Sequence, residues 1–329
     1  MFIMLNNIKK CLTSSLIVAS IATLSTAAIA ADLDELHFII PGGAGGGWDM
    51  TARGIGDVLM KEDLVNQVSY QNLSGGGGGK AIAHLIETAE RQEDTLMVNS
   101  TPIVIRSLSG IFPNSFRDLT PVASTIADYG AIVVAADSKY TDWKQVVADF
   151  KKDPKKVKIG GGSARGSMDH LVAAAIFKGE GFDPRQVRYI AYDAGGKAMA
   201  GLLSGETPIL STGLGEVLEM SKSGLVRILA ITAPERLAAA PNIPTLTEMG
   251  NDTVFANWRG FFAAPGASEE KLAEWDKAFS AMYKTDQWVT VRDRNGWIDN
   301  YQANKDFYRF LEEQEVQMGD LMRELGFLK

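Results

Sequence analysis

The chain has 329 residues, 46% of them hydrophobic, and a formal charge of −7 at pH 7; at this length a large core split between two domains is expected. The acidic excess argues against a nucleic acid or an anionic membrane surface as partner. A small anionic ligand stays open, because helix N-termini and one nearby cation dominate inside a desolvated cleft while distant charges are screened.

Residues 1–30 read as a cleavable signal peptide, so the protein is expected to be exported. Lys9 and Lys10 form its basic start, and Ala28-Ile29-Ala30 supplies small residues for cleavage before Ala31. The apolar run Leu12 to Leu24 falls short of the ~20 residues that a membrane-spanning helix needs. Cleavage removes both lysines and Cys11, the single cysteine, leaving a chain without disulfides. Cys11 stands at the start of the apolar run rather than its end, which argues against lipid attachment there.

The first predicted strand, Leu36 to Ile40, runs into the loop Pro41-Gly42-Gly43-Ala44-Gly45-Gly46-Gly47-Trp48-Asp49 and a helix with Ala52, Ile55 and Leu59 on one face. Strand Val68 to Asn72 leads to a second glycine run, Ser74 to Lys80, and a helix to Arg91. Strand Thr95 to Asn99 ends at Ser100-Thr101-Pro102. From Tyr129 the same grammar restarts: strand Ala131 to Ala135, helix Trp143 to Lys152, and strand Val157 to Gly160 feeding Gly161-Gly162-Ser163-Ala164-Arg165-Gly166-Ser167 and a helix from Met168. Strand Val187 to Tyr192 feeds Asp193-Ala194-Gly195-Gly196, strand Pro208 to Leu210 feeds Ser211-Thr212-Gly213, and strand Val226 to Ile231 closes the series. Alternating strands and helices predict an α/β fold with parallel sheets whose loops emerge on one edge.

After Trp258-Arg259-Gly260-Phe261-Phe262 only helices are expected, with core stripes at Leu272, Trp275, Phe279 and Met282 and at Phe307, Phe310, Leu311, Leu321 and Leu325. Helices without strands of their own need an existing sheet to cover, which returns the chain to the first domain. The expected organisation is therefore lobe 1, residues 31–127 plus 257–329, and lobe 2, residues 128–256, joined by crossings near Tyr129 and Trp258. Two crossings suit a hinge that closes on a ligand.

The glycine loops fail as nucleotide motifs. In the first, the third position of G-x-G-x-x-G read from Gly43 falls on Trp48; in the second, Ser74 and Ala81 stand where a phosphate loop needs glycine and a hydroxyl. No cofactor and no metal site is expected, since His37, His84 and His170 lack metal-ligand spacing. What remains is backbone chemistry: unpaired N–H groups at a helix start, reinforced by the peptide dipoles, can grip a carboxylate. The candidate ligand residues are accordingly Gly45, Gly46, Gly47 and Trp48 of the first loop and Gly75, Gly76 and Gly77 of the second. Hydroxyls at strand ends add Ser100, Thr101, Ser163, Ser167, Ser211 and Thr212, which bind ligand or cap the next helix. Arg165, beside Gly166, could pair with a carboxylate in bidentate fashion; Asp193 follows a strand, and Tyr129 lies at the hinge. Asp49 reads as an N-cap that stabilises its loop.

These residues resemble the periplasmic solute-binding proteins of tripartite tricarboxylate transporters, the Bug family. Pro41-Gly42-Gly43 through Gly47-Trp48-Asp49 is similar to that family's first ligand loop, closest to its tricarboxylate-binding branch, and Ser74-Gly75-Gly76 with the following glycines to its second. The likeness continues in Ala127 to Gly130, Ile159 to Ser167, Arg188 to Asp193, Arg259-Gly260-Phe261 and the last helix. It implies a type II, two-lobed flytrap fold that is not an enzyme, and a di- or tricarboxylate ligand such as citrate. Its implied partner is an integral-membrane permease of one large and one small subunit, and the receptor is expected to be a monomer. The long second glycine run, Lys80 and Arg165 depart from the usual pattern. Two alternatives stand beside this reading: a secreted hydrolase using Ser163 or Ser167 with Asp169 and His170, and an adaptor presenting ligand to a membrane sensor.

Overall fold

Leu36, Phe38, Ile39 and Ile40 are fully buried, and they place β1 (Leu33–Ile40) in the interior of a sheet, with the first glycine loop at its carboxyl end. The computed structural model describes residues 33–329, and the expected signal peptide lies outside them. After β1 come α1 (Gly47–Lys61), β2 (Val65–Asn72), α2 (Gly79–Glu87), β3 (Thr95–Ser100), α3 (Pro102–Leu108) and β4 (Thr120–Ala135). The middle of the chain forms α4 (Trp143–Lys152), β5 (Lys158–Gly161), α5 (Met168–Gly179), β6 (Arg188–Ala191), α6 (Gly195–Leu203), β7 (Ile209–Gly213), α7 (Leu218–Lys222) and β8 (Val226–Ile231). The last stretch holds β9 (Ala256–Ala263), α8 (Glu269–Met282), α9 (Asp286–Asn295), β10 (Ile298–Ala303) and α10 (Asn304–Glu324).

The strands run in the order β2-β1-β3-β9-β4-β7-β5-β6, with β8 and β10 also paired to β4. β1 is parallel to β2 and β3, and β5 is parallel to β6 and β7. The expectation of parallel sheets throughout is corrected at the centre, where β9 runs antiparallel to β3 and β4 runs antiparallel to β7, β8, β9 and β10. β4 serves two neighbourhoods in succession. Its residues from Thr120 to Tyr129 pair with β9, and from Gly130 onward it pairs with β7 and β8. The amino half of β4 escapes an apolar-run search because it buries Ser124, Thr125 and Asp128 completely. The run Trp258 to Phe262 lies within β9, and β10 corrects the expectation of helices alone after it.

The apolar stripes go where a covering role requires. Ala52, Ile55 and Leu59 of α1 are buried, and Trp275, Phe279 and Met282 of α8 join them under the β1–β3–β9 face. There Phe279 stacks on Phe261 with ring centroids 5.4 Å apart. Phe307 and Leu311 of α10 are buried, with Phe310 and Leu321 partly so, against Trp258 and Phe262 on the opposite face. Each such large side chain contributes about 1.5–3 kcal/mol of burial. Past α10 the chain reaches α5, where the Phe327 ring meets His170 edge-on at 4.8 Å.

Candidate functional site

The loops after β1, β2 and β3 face those after β5, β6 and β7 across a cleft of about 350 Å³. The first glycine loop is held from three sides. Asp49 Oδ2 accepts from Gly45 N at 3.1 Å, Asn72 Nδ2 donates to Gly42 O at 2.9 Å and to Asp49 Oδ1 at 3.0 Å, and Trp48 Nε1 donates to Ser100 Oγ at 2.9 Å. The N-cap position of α1 belongs to Gly46, so Asp49 stabilises the loop from within the first turn.

The second glycine run owes its composition to the backbone. Gly75, Gly76, Gly77 and Gly78 have φ of 144°, 59°, 64° and 102°, a path that side chains disfavour at every step. At Gly77 a Cβ would also stand 2.8 Å from the Arg106 guanidinium carbon. Arg106 is buried beneath the loop, without an ion pair among the described residues, and stacks on Phe112 at 4.5 Å.

On the opposite side, Ser163 and Asp169 bond reciprocally: Ser163 N donates to Asp169 Oδ2 and Asp169 N donates to Ser163 Oγ, both at 2.9 Å. Ser211 Oγ donates to Asp169 O at 2.9 Å. Asp193 reaches across the cleft, accepting from Ser74 Oγ at 3.0 Å. Ala194 and Gly195 lie against the first loop at Gly43 and Gly46, so the two sides touch at this edge.

The floor is ionic. Arg259, 2% exposed, directs Nη2 to Asp128 Oδ2 at 3.0 Å and Nη1 to Thr51 Oγ1 at 3.3 Å, while Glu216 Oε1 lies 4.0 Å from Nη2. Burial pushes Asp128 above the usual carboxylate range, opposed by Arg259 and the Gly215 N–H. Burial raises Asp169 to about 6 against the hydrogen bonds from Ser163. Glu216 rises to about 7, through burial first, with Arg259 opposing and Asp169 and Asp128 reinforcing.

Of the residues expected from sequence, Gly46, Gly47, Trp48, Gly75, Gly77, Ser100, Ser163, Ser167 and Asp193 line the cleft. Gly45, Asp49, Gly76, Thr101, Gly166, Ser211 and Thr212 are not among the lining residues; Gly45 and Gly76 are exposed, while Asp49, Thr101, Ser211 and Thr212 are buried. Tyr129 lies at the β4 switch, packed against residues flanking β7 and β8, and Arg165 is exposed to solvent. Arg259, Glu216, Asn257, Asp169 and Tyr192 also line the cleft; sequence reasoning missed all five as ligand residues and named Asp169 only for the hydrolase alternative. Arg259 carried a signal, as the only charge within the apolar run Trp258 to Ala264; Glu216 carried none.

The constellation does not perform nucleophilic chemistry. Ser163 is committed to Asp169 and Tyr189, and His170 Nδ1 accepts from Gly166 N at 3.0 Å. Burial, with Arg165 nearby, lowers His170 to about 4 and keeps it neutral. Among the described residues no cluster of His, Cys, Asp and Glu could hold a metal ion, and no helix is long and apolar enough to cross a membrane.

Paired α/β sheets with glycine loops meeting at a cleft define a solute-binding protein of the periplasmic-binding-protein fold. A Rhodopseudomonas palustris protein with adipate superposes with a TM-score of 0.81 at 19% identity, covering 89% of this chain and 97% of that one. MatC from the same organism, with bound malate, gives 0.77 at 19% identity over 88% and 98%. In sequence, a UPF0065 protein of Bordetella bronchiseptica is 28% identical over 216 residues, or 65% of this chain and 62% of that relative's length. The family described as TctC, tripartite tricarboxylate transporter family receptor, matches residues 52–327. The chain belongs to that family of receptors, and it is a binding protein rather than an enzyme. The matched stretch begins after the first glycine loop.

Proposed function

We propose that this protein captures a small di- or tricarboxylate, citrate or a close relative, in the cleft and delivers it to a tripartite tricarboxylate transporter permease in the membrane. The observation that carries the reading is the meeting of the α1 N-terminus and the two glycine loops with the loops after β5 and β6 around about 350 Å³, a volume at the small-ligand end of binding pockets. Backbone N–H groups of Gly46 and Gly47 supply donors for one carboxylate, and the Ser100 and Ser167 hydroxyls supply donors for the rest of the ligand. Neighbours of the same fold with malate and adipate support this ligand class.

Residues 31–127 plus 257–329 form one lobe in this reading and residues 128–256 the other, with β4 bending at Tyr129–Gly130 and the return crossing at Ala256–Asn257. An exported receptor working as a single chain would then open and close around the ligand, and closure requires the ligand to prefer the closed form. A thermal-shift panel of citrate, tricarballylate, malate, succinate, adipate and glutamate tests it. A ligand present at a hundredfold over its dissociation constant is expected to stabilise the fold by ~2.7 kcal/mol. A flat response to all of these acids would count against carboxylate capture.

A further inference from the structure

We propose that Glu216 meets the bound anion as a protonated carboxylic acid, so that the receptor takes up a proton with each carboxylate it binds. This inference rests on the carboxylate reading above.

Arg259 is the one cation among the lining residues, and its short contact goes to Asp128. Asp169 and Glu216 line the same space. Three carboxylates therefore surround one guanidinium before any ligand arrives, and a ligand carboxylate makes a fourth. Like charges gathered in a site screened from water repel far more strongly than they do in bulk solvent. Protonating one of the group removes that repulsion and creates an O–H donor for the ligand oxygen, a charge-assisted bond stronger than a neutral one.

Glu216 is the member placed to do this. Asp128 is 0% exposed and held by Arg259 Nη2 and by Gly215 N at 3.1 Å. Asp169 is tied to Ser163. The Glu216 side chain is 13% exposed, with Arg259 no closer than 4.0 Å, and its Oε2 lies over Gly195 at the start of α6. Around it stand Arg259 on β9, Asp128 on β4, Asp169 on α5, the Tyr189 phenol on β6 and the Thr212 hydroxyl on β7. Of these only Arg259 favours the ionised form by its charge. Burial already lifts Glu216 to about 7, and the added negative charge of a ligand lifts it further.

Isothermal titration of the protein with malate, adipate and citrate, at pH 6 to 9 and in buffers of different ionisation enthalpy, tests the inference. The expected result is uptake approaching one proton per ligand near pH 8, with affinity falling up to about tenfold per pH unit above the Glu216 pKa of the free protein. Glu216→Gln is expected to abolish the uptake and flatten the pH profile, whereas Asp169→Asn is expected to keep a slope. Binding by the unaltered protein without proton uptake would overturn the inference alone, as would loss of the slope in Asp169→Asn but not in Glu216→Gln. Absence of binding to all three acids at pH 6 would overturn the carboxylate reading and this inference together.

Discussion

Arg259 shows how much one side chain can organise. It closes the floor by joining β9 to Asp128 on β4 and to Thr51 on α1, three segments far apart in sequence. Removing one partner of a buried pair strands the other charge, so Arg259→Ala is expected to cost about 3–5 kcal/mol, read as a lowered urea midpoint. The second residue-scale expectation concerns pH. Glu216, at about 7 instead of the usual 4.5, binds its proton more tightly folded than unfolded, so its ionisation makes stability fall as pH rises through that range. His170, lowered from 6.5 to about 4, acts in the opposite sense, raising stability between those values as pH increases. His170 no longer opposes it above about pH 6.5, and Glu216 is ionised in both states well above pH 7, so the clean window is about pH 6.5 to 7.5, where the melting temperature is expected to decline before levelling off and Glu216→Gln to flatten the decline.

At the scale of elements, the cleft depends on close backbone approach. A Cβ on Gly162, at the end of β5, would press into the Ala194–Gly195 backbone that opens α6. Gly162→Ala is therefore expected to separate these loops and weaken ligand binding in titration, by about tenfold or more for a shift of 1 Å. Elements with simple periodicity were legible in the sequence: α4 and β8 fall on the expected spans, and the α8 and α10 stripes reach the core. Other elements were hidden for physical reasons. The amino half of β4 buries polar residues against β9, and α3, with Ile103, Val104 and Ile105 all buried, has no amphipathic stripe to announce it. The glycine loops declared themselves by composition. Glu216 did not, because the strand β7 and its following turn bring it to Arg259 only once the two sheets meet.

For the molecule as a whole, α10 and the residues after it form a further tie between the two sides. The helix packs on β4 and α3, Glu324 pairs with Lys178 of α5, and Phe327 covers His170 beside the Gly166 loop. Phe327→Ala is expected to speed hydrogen exchange at the start of α5 while leaving α1 protected, as a local opening would. The continuity of β4 has a further consequence, for how the molecule comes apart. Because one strand holds ladder bonds to β9 and β10 at one end and to β7 and β8 at the other, neither half can melt without stripping hydrogen bonds from the other. A calorimetric scan should accordingly show one endotherm, with calorimetric and van't Hoff enthalpies equal, although the buried apolar residues form three clusters.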